Sequence, residues 1–436
     1  MMQLLDRWFG LTTHETTVRR ECLGGLTTFA TMAYIIVVNP AILAEAGIDR
    51  DAGAIATILA AVFGTLLMGL YANRPIAVAP YMGENAFIAF GLAAFGLVWQ
   101  QRLGIVFVSG ALFLVLTLTG LRVWLANAIP QSLKHSFAAG IGLFLLLIGF
   151  ATAELVTDNI PAAPLRITPW GMPQLLTIAG VIVMAWLMHL EVPGAILIGI
   201  VVVAVAGVLT GHAAPPSAVP WNYDLGKIAG QLDIAGVLKI ELAPVLFTLF
   251  LMSFLDTLGT LYALGAAGNM LDKDGRFPDV EKPMLVDALA CMFSAWVGTS
   301  TSGVYIESAT GIRDGARTGL AAVVTALCFA LTLFFLPLIG PLQQLKFAYA
   351  PALILVGILM FGAVRYLDFT DLTESVPALA CITLMVFTMN IANGLAAGLI
   401  LHPLLKLLTW QWRRIHPGTA LLAAASAWYY LFGMPH

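Results

Sequence analysis

Residues 298–311 read GTSTSGVYIESATG and fall where a membrane-crossing helix is due. In place of an aliphatic run they carry Thr, Ser, Gly and one carboxylate, Glu307. An ionisable side chain at membrane depth costs about 3 kcal/mol or more, so it marks a functional site by default. Val304-Tyr305-Ile306 is a short β-like run, and Glu307 with Ser308 stands where a helix would start. Backbone N–H groups at a helix start are free to meet a ligand's oxygen or nitrogen. A second stretch of this kind, RPIAVAPYMGENAFIAFG, covers residues 74–91. Pro75 and Pro80 exclude a regular helix through 75–80; Ile76 to Ala79 can extend, and Gly83, Glu84 and Asn85 then open a helix. A third polar feature is Asp256, near the middle of LFTLFLMSFLDTLGTLYALG (246–265), where Thr257, Gly259 and Thr260 continue a small polar face.

These residue types define a ligand. Ionised carboxylates only accept hydrogen bonds, from ring N–H groups or exocyclic amines, and Asn85 can both give and accept. Phe87, Tyr305, Phe254 and Phe29 offer flat stacking surfaces. A small, planar, neutral, hydrogen-bond-rich heterocycle fits this set better than an inorganic anion, which would want Arg or Lys. No cation lies within a helical turn of Asp256, and Arg313 is six residues past Glu307. Carboxyls without a paired cation can be loaded and unloaded with a proton, which proton coupling requires. Asp256 and Glu307 are the candidates for that role. The chain lacks HExxH, paired Cys or His spacing, a phosphate-cradling Gly-rich loop and a GxSxG elbow, so neither an enzyme, a metal site nor a cofactor is expected. The four cysteines all lie in apolar runs and read as small core hydrophobes.

The elements that must hold these groups are membrane helices. The 436 residues are 60% hydrophobic and 10% charged. A soluble domain carries roughly 25% charged residues, so this composition belongs to an all-α polytopic membrane protein. A net charge of -3 leaves no basic face for nucleic acid. A spanning helix needs about 20 mostly apolar residues. Fourteen candidates fit: 20–44, 52–72, 75–96, 104–121, 135–156, 172–190, 193–211, 240–267, 283–298, 299–314, 317–340, 347–365, 372–390 and 391–410. The first residues suit a short interfacial helix with Leu4, Leu5, Trp8 and Phe9 toward lipid, and the apolar run 418–434 is a tail helix. With both termini cytoplasmic, 15 of the 21 Lys and Arg fall inside, which supports an even number of spans. Loop 268–283 is then cytoplasmic and loop 212–238 external. Fourteen divides into seven and seven, and the two interrupted spans, third and tenth, take matching positions in the halves. That is the sequence mark of an inverted-repeat carrier, and the two short strands are expected to pair at mid-membrane.

Several long motifs occur in a familiar order: TTFATMAYIIVVNPAIL (27–43), APYMGENAFIAF (79–90), FLDTLGTLYALG (254–265), VGTSTSGVYIESATGIRDGARTGLAAVV (297–324) and DLTESVPALACITLMVFTMNIANGLAAG (371–398). From about residue 10 to 410 the chain resembles the azaguanine-type purine permeases, in the nucleobase–ascorbate branch of the nucleobase:cation symporters. The resemblance implies fourteen spans in two inverted seven-span repeats. Segments 1–4 (residues 1–134) and 8–11 (240–340) would form a core, or transport, domain. Segments 5–7 (135–211) and 12–14 (347–410) would form a gate domain, followed by a cytoplasmic or interfacial tail, 411–436. Relatives import adenine, guanine or hypoxanthine with protons across the inner or plasma membrane, and the family pattern implies a homodimer through gate-domain helices. Carried over by motif, Asp256 and Glu307 are the binding acids, Asn85 the third-span asparagine and Tyr305 a site tyrosine. Thr260 falls where uracil-transporting relatives carry a histidine. Glu84 stands where purine permeases usually show an apolar residue, and Tyr81 where they show glycine. The sequence therefore leaves room for uracil, xanthine or another small heterocycle. An anion exchanger or channel of the same architecture is the more distant alternative.

Overall fold

Backbone in hydrocarbon must hydrogen-bond within itself, so long apolar runs fold as helices there. The computed structural model describes residues 2–121, 124–125, 128–157, 165–215, 224–273 and 277–432. In order come α1 (Met2–Phe9), α2 (Val18–Met32), α3 (Ile35–Ala44), α4 (Arg50–Leu70), β1 (Val78–Pro80) and α5 (Met82–Ala86). A π-helical turn, Phe87–Gly91, extends α5. Then follow α6 (Trp99–Thr119), α7 (Gln131–Thr152), a small ribbon of β2 (Val156–Thr157) and β3 (Arg166–Ile167), α8 (Met172–His189) and α9 (Ala195–Leu209). The second half holds α10 (Ala243–Ala267), α11 (Glu281–Val297), β4 (Ser302–Val304), α12 (Ser308–Arg313) and α13 (Gly319–Thr332). It ends with α14 (Lys346–Phe361), α15 (Leu372–Phe387), α16 (Ile391–Leu408) and α17 (Pro417–Phe432). Among the described residues, nine helices are long and apolar enough to cross a membrane, and α9 and α15 are shorter apolar helices.

The helices pack in two groups. In the first, α13 lies against α2 and α4, α11 against α4 and α6, α10 against α6, and α12 against α2. In the second, α14 lies against α7 and α8, α15 against α7 and α16, α9 against α8, and α17 against α16. Small residues set the closeness of the first group, as expected where lipid supplies no hydrophobic drive between helices. A Cβ on Gly24 of α2 would meet the Gly311 carbonyl of α12 at 2.6 Å. Glu21, fully buried, accepts from the backbone N–H groups of Arg317 (2.9 Å), Thr318 (3.2 Å) and Ala321 (3.3 Å), and so caps the start of α13. A carboxylate at a helix N-terminus satisfies free donors and favours the dipole.

Two expectations change in detail. The strands sit at Val78–Pro80 and Ser302–Val304, displaced from the Ile76–Ala79 and Val304–Ile306 runs, because pairing register decides their extent. Trp8 of α1 is exposed, but Phe9 is buried with Leu11 against Leu320 instead of facing lipid. The side chain of Leu4, and Arg122 and Arg276 from the charge count, lie outside the described residues.

Candidate functional site

The two broken spans meet. β1 and β4 pair antiparallel, Val78 opposite Val304, Ala79 opposite Gly303 and Pro80 opposite Ser302. Flanking bonds extend the ladder: Tyr305 N–H donates to the Ala77 carbonyl (3.0 Å) and Tyr81 N–H to the Thr301 carbonyl (2.9 Å). Thr65 of α4 holds both N–H and C=O of Val78 through its hydroxyl. The irregular backbone is thus satisfied by protein, as its position in an apolar bundle demands. Gly303 is required by close approach: a Cβ there would lie 2.1 Å from the Tyr81 ring. The Tyr81 and Tyr305 rings lie nearly parallel, 6.2 Å apart, across the strand pair. Tyr305 OH donates to the Pro80 carbonyl.

Glu307 stands at the start of α12, half-buried, and accepts from the Tyr34 hydroxyl at 2.9 Å. Asp256 is half-buried on α10 and has no hydrogen bond among the described residues. The space beside it is open, since a Cβ on Gly259 would meet nothing within 4 Å. Thr260, one turn on, is also half-buried. The charges of Glu307 and Asp256 act on each other.

Behind them lies a buried layer. Glu84, 1% exposed, accepts from Ser253 of α10 (3.0 Å) and from Thr301. Among the described residues its second oxygen has no partner. Asn85 donates to the Asn39 carbonyl at 3.3 Å, and its own oxygen is likewise unpartnered. Asn39 of α3 is held by Thr57 (2.8 Å), Thr299 (2.9 Å) and Ser300 (3.3 Å). Arg102 closes the other end of the π-helical turn by donating to the carbonyls of Ile88 (3.0 Å) and Ala89 (2.7 Å).

Sequence reasoning missed Asp287. It sits near the start of its apolar run, yet it is fully buried on α11 and accepts from Thr257 at 2.6 Å. Thr257 is next to Asp256 in sequence, and Tyr81 OH donates on to it at 3.1 Å. The available signal was a lone acid inside the apolar run MLVDALACMF. Asp256 lies within Coulombic reach of Glu84 and Asp287 as well as Glu307, and among the described residues no cation pairs with it. The oxygens of Glu84, Asn85 and Asp287 that lack partners are all acceptors, so the site is short of donors.

The aromatics divide. Phe254 packs edge-on to Phe113 and beside Phe250, in the core. Phe29 packs edge-on to Phe329. Phe87 is fully buried with its ring against Gly91. Neither Phe254 nor Phe29 is a free stacking surface, because helix–helix packing has already used their faces.

Paired broken segments that hold acids inside a bundle of apolar helices define a membrane transport protein. The permease family model Xan_ur_permease matches residues 19–396, and the chain belongs to this family of nucleobase–ascorbate transporters. It is an integral membrane permease and not an enzyme. The adenine permease AdeQ of Escherichia coli is 36% identical over 97% of this chain and 95% of its own. The guanine/hypoxanthine permease PbuO of Bacillus subtilis is 37% identical over 94% of this chain and 96% of its own. The fold is similar to the transmembrane domain of the cyanobacterial bicarbonate transporter BicA, with a TM-score of 0.65, 16% identity, and coverage of 87% of this chain and 97% of that one.

Proposed function

We propose that this permease is a proton-coupled symporter that imports purine bases of the guanine, hypoxanthine and adenine class by alternating access. The observation that carries the reading is the donor-poor cluster of acids at the paired broken spans, Glu307 and Asp256 half-buried in front and Glu84 behind. A purine brings ring N–H groups and, in adenine and guanine, an exocyclic amine, which are the donors this site lacks. The relatives named above transport such bases. The fold alone cannot decide, since it is shared with a bicarbonate transporter, and function is argued from the site.

Glu307, oriented by Tyr34, anchors one edge of the base. Asp256 takes the other edge or carries the proton. Asn85 orients the ring, Tyr305 and Phe87 line it, Thr260 borders it, and Glu84 tunes which base ranks first. The chain is organised as fourteen segments in two inverted seven-segment repeats. The first helix group is the core domain, the second the gate domain, and their relative movement exposes the site to each side in turn. Both termini are cytoplasmic, and the carrier works as a homodimer through gate helices.

Competition by a panel of unlabelled bases against radiolabelled hypoxanthine uptake tests the substrate. Purines should compete best; strongest competition by uracil or by bicarbonate would overturn the reading. For orientation, an impermeant maleimide should label Gln231→Cys in intact cells and Lys273→Cys only after lysis. The reverse pattern would invert the topology. Native mass spectrometry should give twice the chain mass; a monomer that still transports would remove the dimer.

A further inference from the structure

Three polar pairs join α2, with the turn that follows it, to α12. Tyr34 donates to Glu307 at 2.9 Å, the hydroxyls of Thr31 and Thr310 share a bond of 3.2 Å, and Thr27 donates to Asp314. Residues three and four apart stack on a helix, so 34, 31 and 27 face 307, 310 and 314 rung by rung. The rungs make a seam that leads from the candidate site to the end of the bundle where α2 starts. One side of the seam is open: Thr27, Thr31, Thr310 and Glu307 are half-buried, and Asp314 is exposed. The neighbouring face of α10 is open too. After the half-buried Asp256 comes Gly259, exposed and with nothing within 4 Å of a Cβ, and α10 packs against α12. Carboxyls with an open side at membrane depth do not face hydrocarbon, so the seam borders water. In the other direction from Glu307 the protein is closed. Every residue of α3 from Ile35 to Leu43 is buried, and so are both strands of the β1–β4 pair. The second helix group stands beside the seam through the turn before α9, where Gly194 lies against Ala30 and Arg313 pairs with Glu191 at 3.8 Å.

We propose that the base is released along this seam, from Glu307 past Thr31 and Thr310 to Asp314 at the mouth. The proposal rests on the nucleobase reading and names the route by which that site empties. A purine that leaves its acids must not strand its N–H groups and ring nitrogens without partners, since each unpaired group is costly. Hydroxyls both give and accept, so Thr31 and Thr310 can serve either kind of group in passing. Asp314 then accepts from the base's N–H groups where water takes over.

The test has two parts, and the first needs no substrate. In a cysteine-free, full-length background, Thr310→Cys and Thr31→Cys are treated with an impermeant maleimide in right-side-out and inverted vesicles. Both should react from the face on which Lys273→Cys reacts, and not from the other. Reaction from the opposite face, or from neither face in both variants, overturns the route. The second part follows efflux of radiolabelled hypoxanthine from proteoliposomes. Thr31→Val and Thr310→Val remove a hydroxyl and keep the shape. Each should slow efflux about twofold to tenfold, the worth of one neutral hydrogen bond, with the melting midpoint unchanged. Thr31→Ser and Thr310→Ser, which keep the hydroxyl, should run at the wild-type rate. Wild-type efflux in both valine variants, or slowing that follows a fall in melting, shows that the rungs only tie helices together and overturns the route. A wild type that moves no purine defeats the nucleobase reading, and the labelling pattern then decides the seam by itself.

Discussion

Glu307 and Asp256 differ in what holds them, and that difference separates the roles proposed for them. Glu307 is fixed by the Tyr34 hydroxyl at a helix start, so its carboxylate is pre-aimed. Glu307→Gln keeps the size but turns an acceptor-only group into one that is half donor. One charge-assisted hydrogen bond is worth about 1.5–3 kcal/mol, so purine affinity should fall about tenfold to a hundredfold with the protein still in the membrane. Binding of radiolabelled base to purified protein measures this, and unchanged affinity would remove Glu307 from the site. Among the described residues Asp256 has no hydrogen-bond partner, and the space beside it is open, so its carboxyl is not tied to a fixed donor. Asp256→Asn is a permanent mimic of the protonated acid. It should still bind and exchange a purine but no longer concentrate it, and its exchange should lose pH dependence. Counterflow and pH-jump uptake in proteoliposomes read both. Wild-type accumulation by the variant would move the coupling proton to Glu84, Asp287 or Glu307. The cycle needs that proton to favour one state over another, since only differential interaction shifts an equilibrium.

At the scale of elements, the β1–β4 pair is the joint of the site, and Gly303 is its tightest point. A methyl group there would drive into the Tyr81 ring, which is itself tied to Thr257 and Asp287. Overpacking of a buried contact costs about 1–3 kcal/mol, so Gly303→Ala should lower the melting midpoint and slow uptake together. A variant with wild-type melting and transport would show that the joint tolerates a shift of Tyr81. The strand pair, in contrast to a helix, spaces Tyr81 and Tyr305 on one face and frees the two helix starts that follow it. This geometry explains why the prolines at 75 and 80 and the run of Thr, Ser and Gly at 298–303 occur where an aliphatic helix would be simpler.

For the whole molecule, the proposed alternating access would require the two helix groups to move, and their contacts are places to stop that motion. Gly194, just before α9, lies against Ala30 of α2, and a Cβ on it would be 3.7 Å from the Ala30 Cβ. That spacing matches a disulfide, whose Cβ atoms lie about 3.8 Å apart. In a cysteine-free background, the pair Ala30→Cys and Gly194→Cys should cross-link on oxidation. Transport should stop while base binding persists, and reductant should restore it. Full transport by the cross-linked protein would contradict movement between α2 and α9. Gly194 has φ +77°, so the single Gly194→Cys variant carries a strain of about 1–2 kcal/mol and needs its own control.

Much of this was legible in the chain alone. Apolar length determined the membrane class, because hydrocarbon permits few backbone solutions. The two interruptions, at 74–91 and 298–311, were visible because proline, glycine and a carboxylate are costly inside a span. Glu307, Asp256, Glu84 and Asn85 stood out for the same local reason. What the tertiary structure decided were partnerships across long separations. Strand register links residues near 80 to residues near 300, and it moved both strands by about two positions. Asp287 became part of the site only because Thr257 and Tyr81 reach it from other elements. Phe254 and Phe29 pack against Phe113, Phe250 and Phe329 instead of offering free stacking surfaces. Lys406, near the end of its apolar run, is buried against Glu374 in the second helix group. Residue type and spacing report the cost of a group at its depth; which neighbour meets that cost is settled only when distant helices pack.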